Sequence, residues 1–304
     1  MPRFYLPLIN WIRRHSMLRR LARSAVLLVP DWPVTKNVRA LGRFRFGLRR
    51  HRWLLSGDCF EGHRLVLGMF SRLIRPDDVF YDVGANIGYY TRFILNHFPV
   101  SHIVAFEPMS ANVRMLRKNV ELGGEQHRVT ILPFALGDVN EQEELQIDDV
   151  GDGSAVLDRI SGGQPAEPRR IYGLKPKTER IDVRRLDDVI SQYHLRPPNV
   201  IKIDTEGAER IVLQGAKATL QQHKPRLAIA LHGPDHARET LEFLWELGYV
   251  AYGIVSEDQQ RVYRRLEPAN ATRLYDNNIV SSSVEADLHD EIAPLLIPTA
   301  SQTR

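Results

Sequence analysis

The chain has 304 residues, 43% of them hydrophobic and 26% charged, a composition that can fill a core and excludes disorder as the default state. Cys59 is its only cysteine, which excludes an internal disulfide and a zinc-thiolate cluster and fits a reducing, cytoplasmic compartment. The formal net charge is +4, and the excess is concentrated at the front of the chain.

From Met1 to Arg52 the only acid is Asp31, set among arginines such as Arg13, Arg14, Arg19, Arg20 and Arg23. Leu8, Ile9, Trp11, Ile12, Leu18 and Leu21 form an apolar stripe at helical spacing, the composition of a helix lying in a membrane interface. A basic helix packed on the following domain, with its arginines solvated, accounts for the pattern equally well. No nucleic acid is expected, because the basic residues lack a recognised motif and interleaved aromatic side chains. The apolar run Ala25 to Val29 ends at Pro30, well short of the roughly 20 residues of a membrane span, and a signal peptide is disfavoured. Residues 1–55 therefore read as a basic extension, with peripheral contact through residues 1–40 at the inner face of a membrane. Its last part, Arg43 to Leu55, alternates apolar and basic residues and predicts a small strand pair capping the main sheet.

The next unit is expected over 56–283. A helix from Leu65 to Leu73 leads through Arg75-Pro76-Asp77-Asp78 into a buried strand, Val79-Phe80-Tyr81-Asp82-Val83. Gly84 and Gly88 follow, letting the backbone turn beside a ligand before a helix that starts near Asn86 and runs to His97. Ile103 to Phe106 is a second strand, and Glu107 at its end stands where nucleotide folds place an acid on ribose hydroxyls. Three residues separate the two glycines, so the G-x-G-x-x-G of pyrophosphate sites is missing. An adenosyl cofactor without phosphates, S-adenosylmethionine, suits Asp82, Asn86 and Glu107 better. A nicotinamide-dependent oxidoreductase is correspondingly disfavoured.

Ser110 is the expected N-cap of a helix to Leu122, and Val129 to Leu132 a third strand. Asp138, in Ala135-Leu136-Gly137-Asp138, is a candidate contact for the adenine amino group, although aspartate after glycine is also common turn chemistry. Residues 139–180, with scattered glycines and prolines, predict an irregular insertion that can serve as a lid, a substrate platform or a mobile linker, with Ser154 and Tyr172 as candidates to lie near a substrate without doing chemistry. A helix from Leu186 to Tyr193 precedes the strand Val200-Ile201-Lys202-Ile203-Asp204, which runs into Thr205-Glu206-Gly207-Ala208-Glu209 and a helix to about Gln222. Asp204 and Glu206 then face the reacting end of the cofactor, unless they and Thr205 only cap the helix and complement its dipole. A fifth strand, Arg226 to Leu231, ends at His232, opposite the two acids, where it can serve as a base; His236 is a weaker choice. A helix through Leu247 and a strand from Val250 to Val255 complete the pattern, and the tail, 284–304, is expected to be disordered. Strands alternating with helices argue for a doubly wound parallel sheet with ligands at the strand C-termini.

Four ordered motifs, Asp82 to Gly88, Phe106-Glu107-Pro108, Ala135 to Asp138 and Lys202 to Glu209, resemble those of FkbM-type methyltransferases over about Ser56 to Val255. The resemblance implies a Rossmann-like seven-stranded methyltransferase sheet, mostly parallel with helices on both faces. It also implies S-adenosylmethionine and O-methylation of a sugar or polyketide-type hydroxyl, while the arginine-rich front, by charge and amphipathicity, suits a glycolipid or lipid-linked saccharide at a membrane surface. Carried onto this chain, Asp82, Gly84, Asn86, Gly88, Thr91, Glu107 and Asp138 bind the cofactor, and His232, Glu206 and Asp204 act in catalysis. The expected reaction is in-line attack of the acceptor oxygen on the methyl carbon, with His232 as first base and Glu206 as second. No metal is expected, although Asp204, Glu206, His232 and Asp235 could coordinate Mg²⁺. The family often has a glutamate two residues before the histidine, where this chain has Ala230. That departure keeps open a catalytically silent, membrane-associated adenosyl-binding protein.

Overall fold

The computed structural model describes residues 30–55, 70–71, 73–150, 155–164, 169–170, 173–257, 260–271 and 274–283. The basic amphipathic stripe, most of the helix expected from Leu65, Ser154, Tyr172 and the tail from residue 284 lie outside them.

A central sheet is built on β3 (Val79–Val83), β4 (His102–Phe106), β5 (Val129–Leu132), β10 (Val200–Ile203) and β11 (Arg226–Ala230), all mutually parallel. Each is short and almost wholly apolar because helices cover both faces. Along β3 the period of two divides the side chains. Phe80 packs on one side with Phe44, Ile94 and Ile103, while Val79, Tyr81 and Val83 pack on the other with Val104, Ile201 and Leu213. The edge beyond β11 is antiparallel, formed by β14 (Leu274–Ser282), β12 (Val250–Glu257) and β13 (Gln260–Arg265). The strand order is β13-β12-β14-β11-β10-β3-β4-β5. Seven of these strands give the expected architecture, and β13 adds an eighth at the edge. The sequence reading missed β14 because Asp276, Asn277 and Asn278 look like a turn; pairing with both β11 and β12 overrides that local preference.

The helices that position the site are α1 (Tyr89–His97), α2 (Ser110–Gly123), α3 (Leu186–Gln192), α4 (Glu209–Gly215), α5 (Lys217–His223) and α6 (Pro234–Glu246). Helix α1 starts three residues later than expected, behind Gly88 at φ 87°. Ser110 is not the N-cap of α2: Met109 holds that position, with no side-chain cap. The single helix expected to Gln222 is broken at Ala216 into α4 and α5. At Gly215 a Cβ would lie 1.8 Å from the Gly137 carbonyl oxygen, so the backbones touch where the helix ends.

Two segments differ from expectation. The strand pair is a hairpin, β1 (Pro33–Val38) with β2 (Gly42–Gly47), earlier than Arg43 to Leu55, and it belongs to the core. Phe44 and Phe46 are fully buried, and Asn119 of α2 exchanges hydrogen bonds with the Arg45 backbone, 2.6 Å from its N–H and 2.8 Å to its carbonyl. A boundary between residues 55 and 56 therefore does not separate packing units. The segment 139–180 is not simply irregular: β7 (Glu141–Ile147) pairs antiparallel with β8 (Ala155–Leu157) and β9 (Thr178–Arg184), and β6 (Ala135–Leu136) joins β9. Leu145, Leu157, Ile181 and Val183 of this second sheet pack against Met109 and Ala208. It stands over the C-terminal end of the main sheet and is held there by apolar contact.

At the opposite end, Arg226 donates from one guanidinium nitrogen to both oxygens of Asp78 at 2.9 Å, and to the Leu73 carbonyl, tying the starts of β3 and β11 together.

Candidate active site

A sheet whose strand order reverses between β3 and β10 leaves a crevice at their C-terminal ends, and the site lies there. Its cavity is lined by Gly84, Asn86, Glu107, Pro108, Asn112, Asp204, Thr205 and Glu206, with Phe106, Phe134, Leu136, Leu145, Ala155 and Leu157 as an apolar wall. The wall comes partly from β6, β7 and β8, so the second sheet completes the pocket. Among the described residues the lining includes carboxylates from Glu107, Asp204 and Glu206 but no lysine or arginine.

Gly84 turns out of β3 at φ 74°, and a Cβ there would sit 2.0 Å from the Asp204 carbonyl oxygen. Only glycine lets the β3 and β10 strand ends approach so closely. The turn is fixed by the Gly84 and Ala85 N–H groups, which donate to the Phe106 carbonyl at 3.0 and 2.9 Å. Asn86, at φ 50°, tolerates the left-handed region and accepts from the Ile87 N–H through its own Oδ1 at 2.8 Å. Its backbone N–H donates to Glu107 Oε2 at 2.8 Å, while the Met109 N–H and Asn112 Nδ2 donate to Oε1 at 3.0 and 3.3 Å. Burial pushes the Glu107 carboxyl up to about 7, against the pull of those donors and of Lys202. An acid held this firmly at a cavity wall suits a ligand that presents hydroxyl donors.

Asp82, Thr91 and Gly88 are brought close to this turn but do not line the cavity. Thr91 donates to Asp82 Oδ2 at 2.6 Å, and both side chains are fully buried beneath the loop. Asp82 Oδ1 lies 3.2 Å from the Lys202 ammonium. Gly88 serves packing, since a Cβ would meet Leu116 Cδ1 at 2.5 Å. Asp138 does not line the cavity either, and is engaged at 2.8 Å by Arg159 of the short helix Asp158–Ser161.

Lys202 is the site residue that sequence reasoning passed over. Buried in β10, it donates to the Val83 and Gly84 carbonyls at 3.3 and 2.9 Å and stands 3.7 Å from Asp204. Burial disfavours its charge, but Asp82 and then Asp204 outweigh that cost and hold the ammonium above its ordinary range. The signal was present: a lone cation within the apolar run Val200 to Ile203 must find a buried acid. Ala230 lies beside this cluster, in register with Asn278 and on a small cavity shared with Lys202 and Asp204. Asp82 and Asp204 supply the counter-charge to Lys202 there.

His232 follows β11 at the rim. Its Nδ1 meets Glu209 Oε1 at 3.0 Å, and its Nε2 lies 3.7 Å from Asp204 and 3.8 Å from Glu206. Burial acts against the imidazolium, but Glu209, Glu206 and Asp204 prevail and raise its pKa to about 9. The histidine is therefore cationic at neutral pH in the unliganded protein. Ligand atoms of Asp204, Glu206 and His232 lie within 4.8 Å of one another, a spacing a divalent cation can use.

The glycine turn, with three residues between Gly84 and Gly88, lacks the G-x-G-x-x-G spacing of dinucleotide-binding dehydrogenases. By architecture the chain is a Rossmann-like, doubly wound α/β protein. Sequence comparison narrows the class. Residues 82–251, more than half of the chain, match the Methyltransferase FkbM domain, and the chain belongs to the FkbM methyltransferase family. It is 29% identical over 211 residues to 31-O-demethyl-FK506 methyltransferase FkbM of Streptomyces tacrolimicus, covering 62% of this chain and 75% of that protein. It is 32% identical over 162 residues to 2-O-methyltransferase NoeI of Sinorhizobium fredii, covering 52% of this chain and 64% of NoeI. Over 167 residues it is 29% identical to AMB antimetabolite synthetase AmbE of Pseudomonas aeruginosa, covering 47% of this chain and only 8% of that much longer protein.

Proposed function

We propose that the chain is an S-adenosylmethionine-dependent O-methyltransferase acting on a hydroxyl of a sugar, glycolipid or polyketide-type molecule. The observation that carries this reading is the cavity lining: a buried glutamate and two further carboxylates, with no lysine or arginine among the described lining residues. An adenosyl group bearing a sulfonium meets carboxylates on this lining. When bound, that cofactor supplies an activated methyl group. The protein's part is to bind and orient. Glu107 accepts from ribose hydroxyls, the Phe134, Leu136 and Leu157 wall encloses apolar surface, and Asp204 and Glu206 favour the cationic end.

Proton removal falls to the groups at the rim. His232 Nε2 accepts a proton only after losing the one it holds at neutral pH, and Glu206 and Asp204 are the alternative acceptors. Two relatives carry O-methylation in their names, NoeI and FkbM, which supports a hydroxyl acceptor. The basic segment 1–40, read from sequence alone, would suit an acceptor at an anionic membrane surface.

The test is methyl transfer from isotopically labelled S-adenosylmethionine to a panel of glycans, lipid-linked saccharides and macrolides, read by mass spectrometry. Labelled product from wild type, lost in Glu107→Ala, is expected. Cofactor binding without transfer to any acceptor would favour a silent adenosyl-binding protein.

A further inference from the structure

Glu209 opens α4 with its side chain wholly buried, and its Oε1 is shared among several donors. The Thr205 N–H, the Thr205 hydroxyl and the Gly207 N–H approach it at 3.2, 3.3 and 3.0 Å, and His232 Nδ1 at 3.0 Å. The turn it gathers is bent into conformations that side chains rarely adopt, with Glu206 at φ 54° and Gly207 at φ 102°. Such a bend persists only where surrounding bonds hold it. One carboxylate thus fixes both the loop that carries Asp204 and Glu206 and the imidazole that faces them. An acceptor at Nδ1 also selects the form in which Nδ1 keeps its proton, leaving Nε2 as the nitrogen that exchanges one.

We propose that Glu209 is the positioning residue of this site: it orients His232 with Nε2 toward Asp204 and Glu206 and fixes the Nδ1–H tautomer. This rests on the reading of His232 as a proton acceptor in methyl transfer. The charged groups around the imidazole are Glu209 from α4 and Asp204 and Glu206 from the loop after β10, with Lys202 behind Asp204. His236 of α6 lies on the far side of the turn, where a Cβ at Gly207 would come 3.6 Å from its ring. No other acceptor competes for Nδ1 among the bonds of the described residues.

The experiment is nitrogen-15 NMR of the full chain with labelled histidine, free of ligands, with the His232 signal assigned by its loss in His232→Gln. Above the imidazole's titration the wild type is expected to show the Nδ1–H tautomer. In Glu209→Gln, whose carbonyl still accepts from Nδ1, the tautomer persists while the titration midpoint falls by roughly one to three pH units, the effect of removing one adjacent opposite charge. In Glu209→Ala the tautomer shifts toward Nε2–H. An Nε2–H tautomer in wild type, or an unmoved midpoint in Glu209→Gln, would overturn the proposal. The wild-type tautomer decides it even where the variants do not fold. Calorimetric titration of the same samples with S-adenosylmethionine keeps the two readings apart: absent binding by wild type undermines the methyltransferase assignment and leaves the tautomer result standing.

Discussion

Lys202 shows how much of this site is held from below. Its ammonium joins Asp82 on β3, Asp204 at the end of β10 and the Val83 and Gly84 carbonyls, and Asp82 is wholly buried. Lys202→Met leaves Asp82 buried without its counter-charge and is expected to cost about 3–5 kcal/mol in urea unfolding, with Asp82→Asn in the same chain recovering part of the loss. At the rim, His232 sets a pH signature. Its folded pKa of about 9 means the imidazole is protonated through neutral pH and becomes a base only above it. With His232 as proton acceptor, kcat/KM rises with unit slope on logarithmic axes as pH increases and levels near 9; a flat profile from pH 7 to 9 would assign proton removal to Glu206 or Asp204 instead. The acids and the histidine were legible in the sequence because strand, turn and residue type coincide at Glu107, Asp204 and His232. The partner choices were not. Nothing local distinguishes Asp82, which turned inward to Lys202, from Glu107, which faces the cavity, and Asp138 is claimed by Arg159, an arginine 21 residues on in the short helix Asp158–Ser161.

Elements were readable where hydrophobic period and punctuation agreed, as in β3 with Gly84 or α2 with Gly124, which ends it at φ 75°. They were obscured where tertiary pairing decided. The sequence of β7, Glu141 to Ile147, is almost wholly polar in its first half and becomes a strand because β9 pairs with it along Glu141 to Gln146. The hairpin β1-β2 was readable as strand alternation but misplaced, because its apolar Phe44 and Phe46 were taken for a cap when they are core. Phe44→Ala is therefore expected to cost about 3–5 kcal/mol in chemical denaturation, the range for emptying a buried aromatic site, whereas a detachable extension would unfold without changing the midpoint of the rest.

Taken whole, the molecule is a doubly wound sheet whose reacting end is closed by a second, smaller sheet. The larger sheet supplies Gly84, Glu107, Asp204 and His232, and the smaller one supplies the apolar wall at Leu145, Ala155 and Leu157. None of the described helices is long and apolar enough to cross a membrane. A surface role for the arginine-rich front is checked by flotation of full-length chain and a chain lacking residues 1–40 with anionic vesicles. Recovery of the full chain alone is expected, and equal recovery of both would remove that role. The most direct measurement of the central assignment is calorimetric titration at pH 8, where Glu107 is ionised, with S-adenosylmethionine, S-adenosylhomocysteine and NAD⁺ in turn. Saturable binding of the two adenosyl ligands, abolished in Glu107→Ala and not seen with NAD⁺, is the expected result. Binding of NAD⁺, or no binding of either adenosyl ligand by folded wild type, would contradict it.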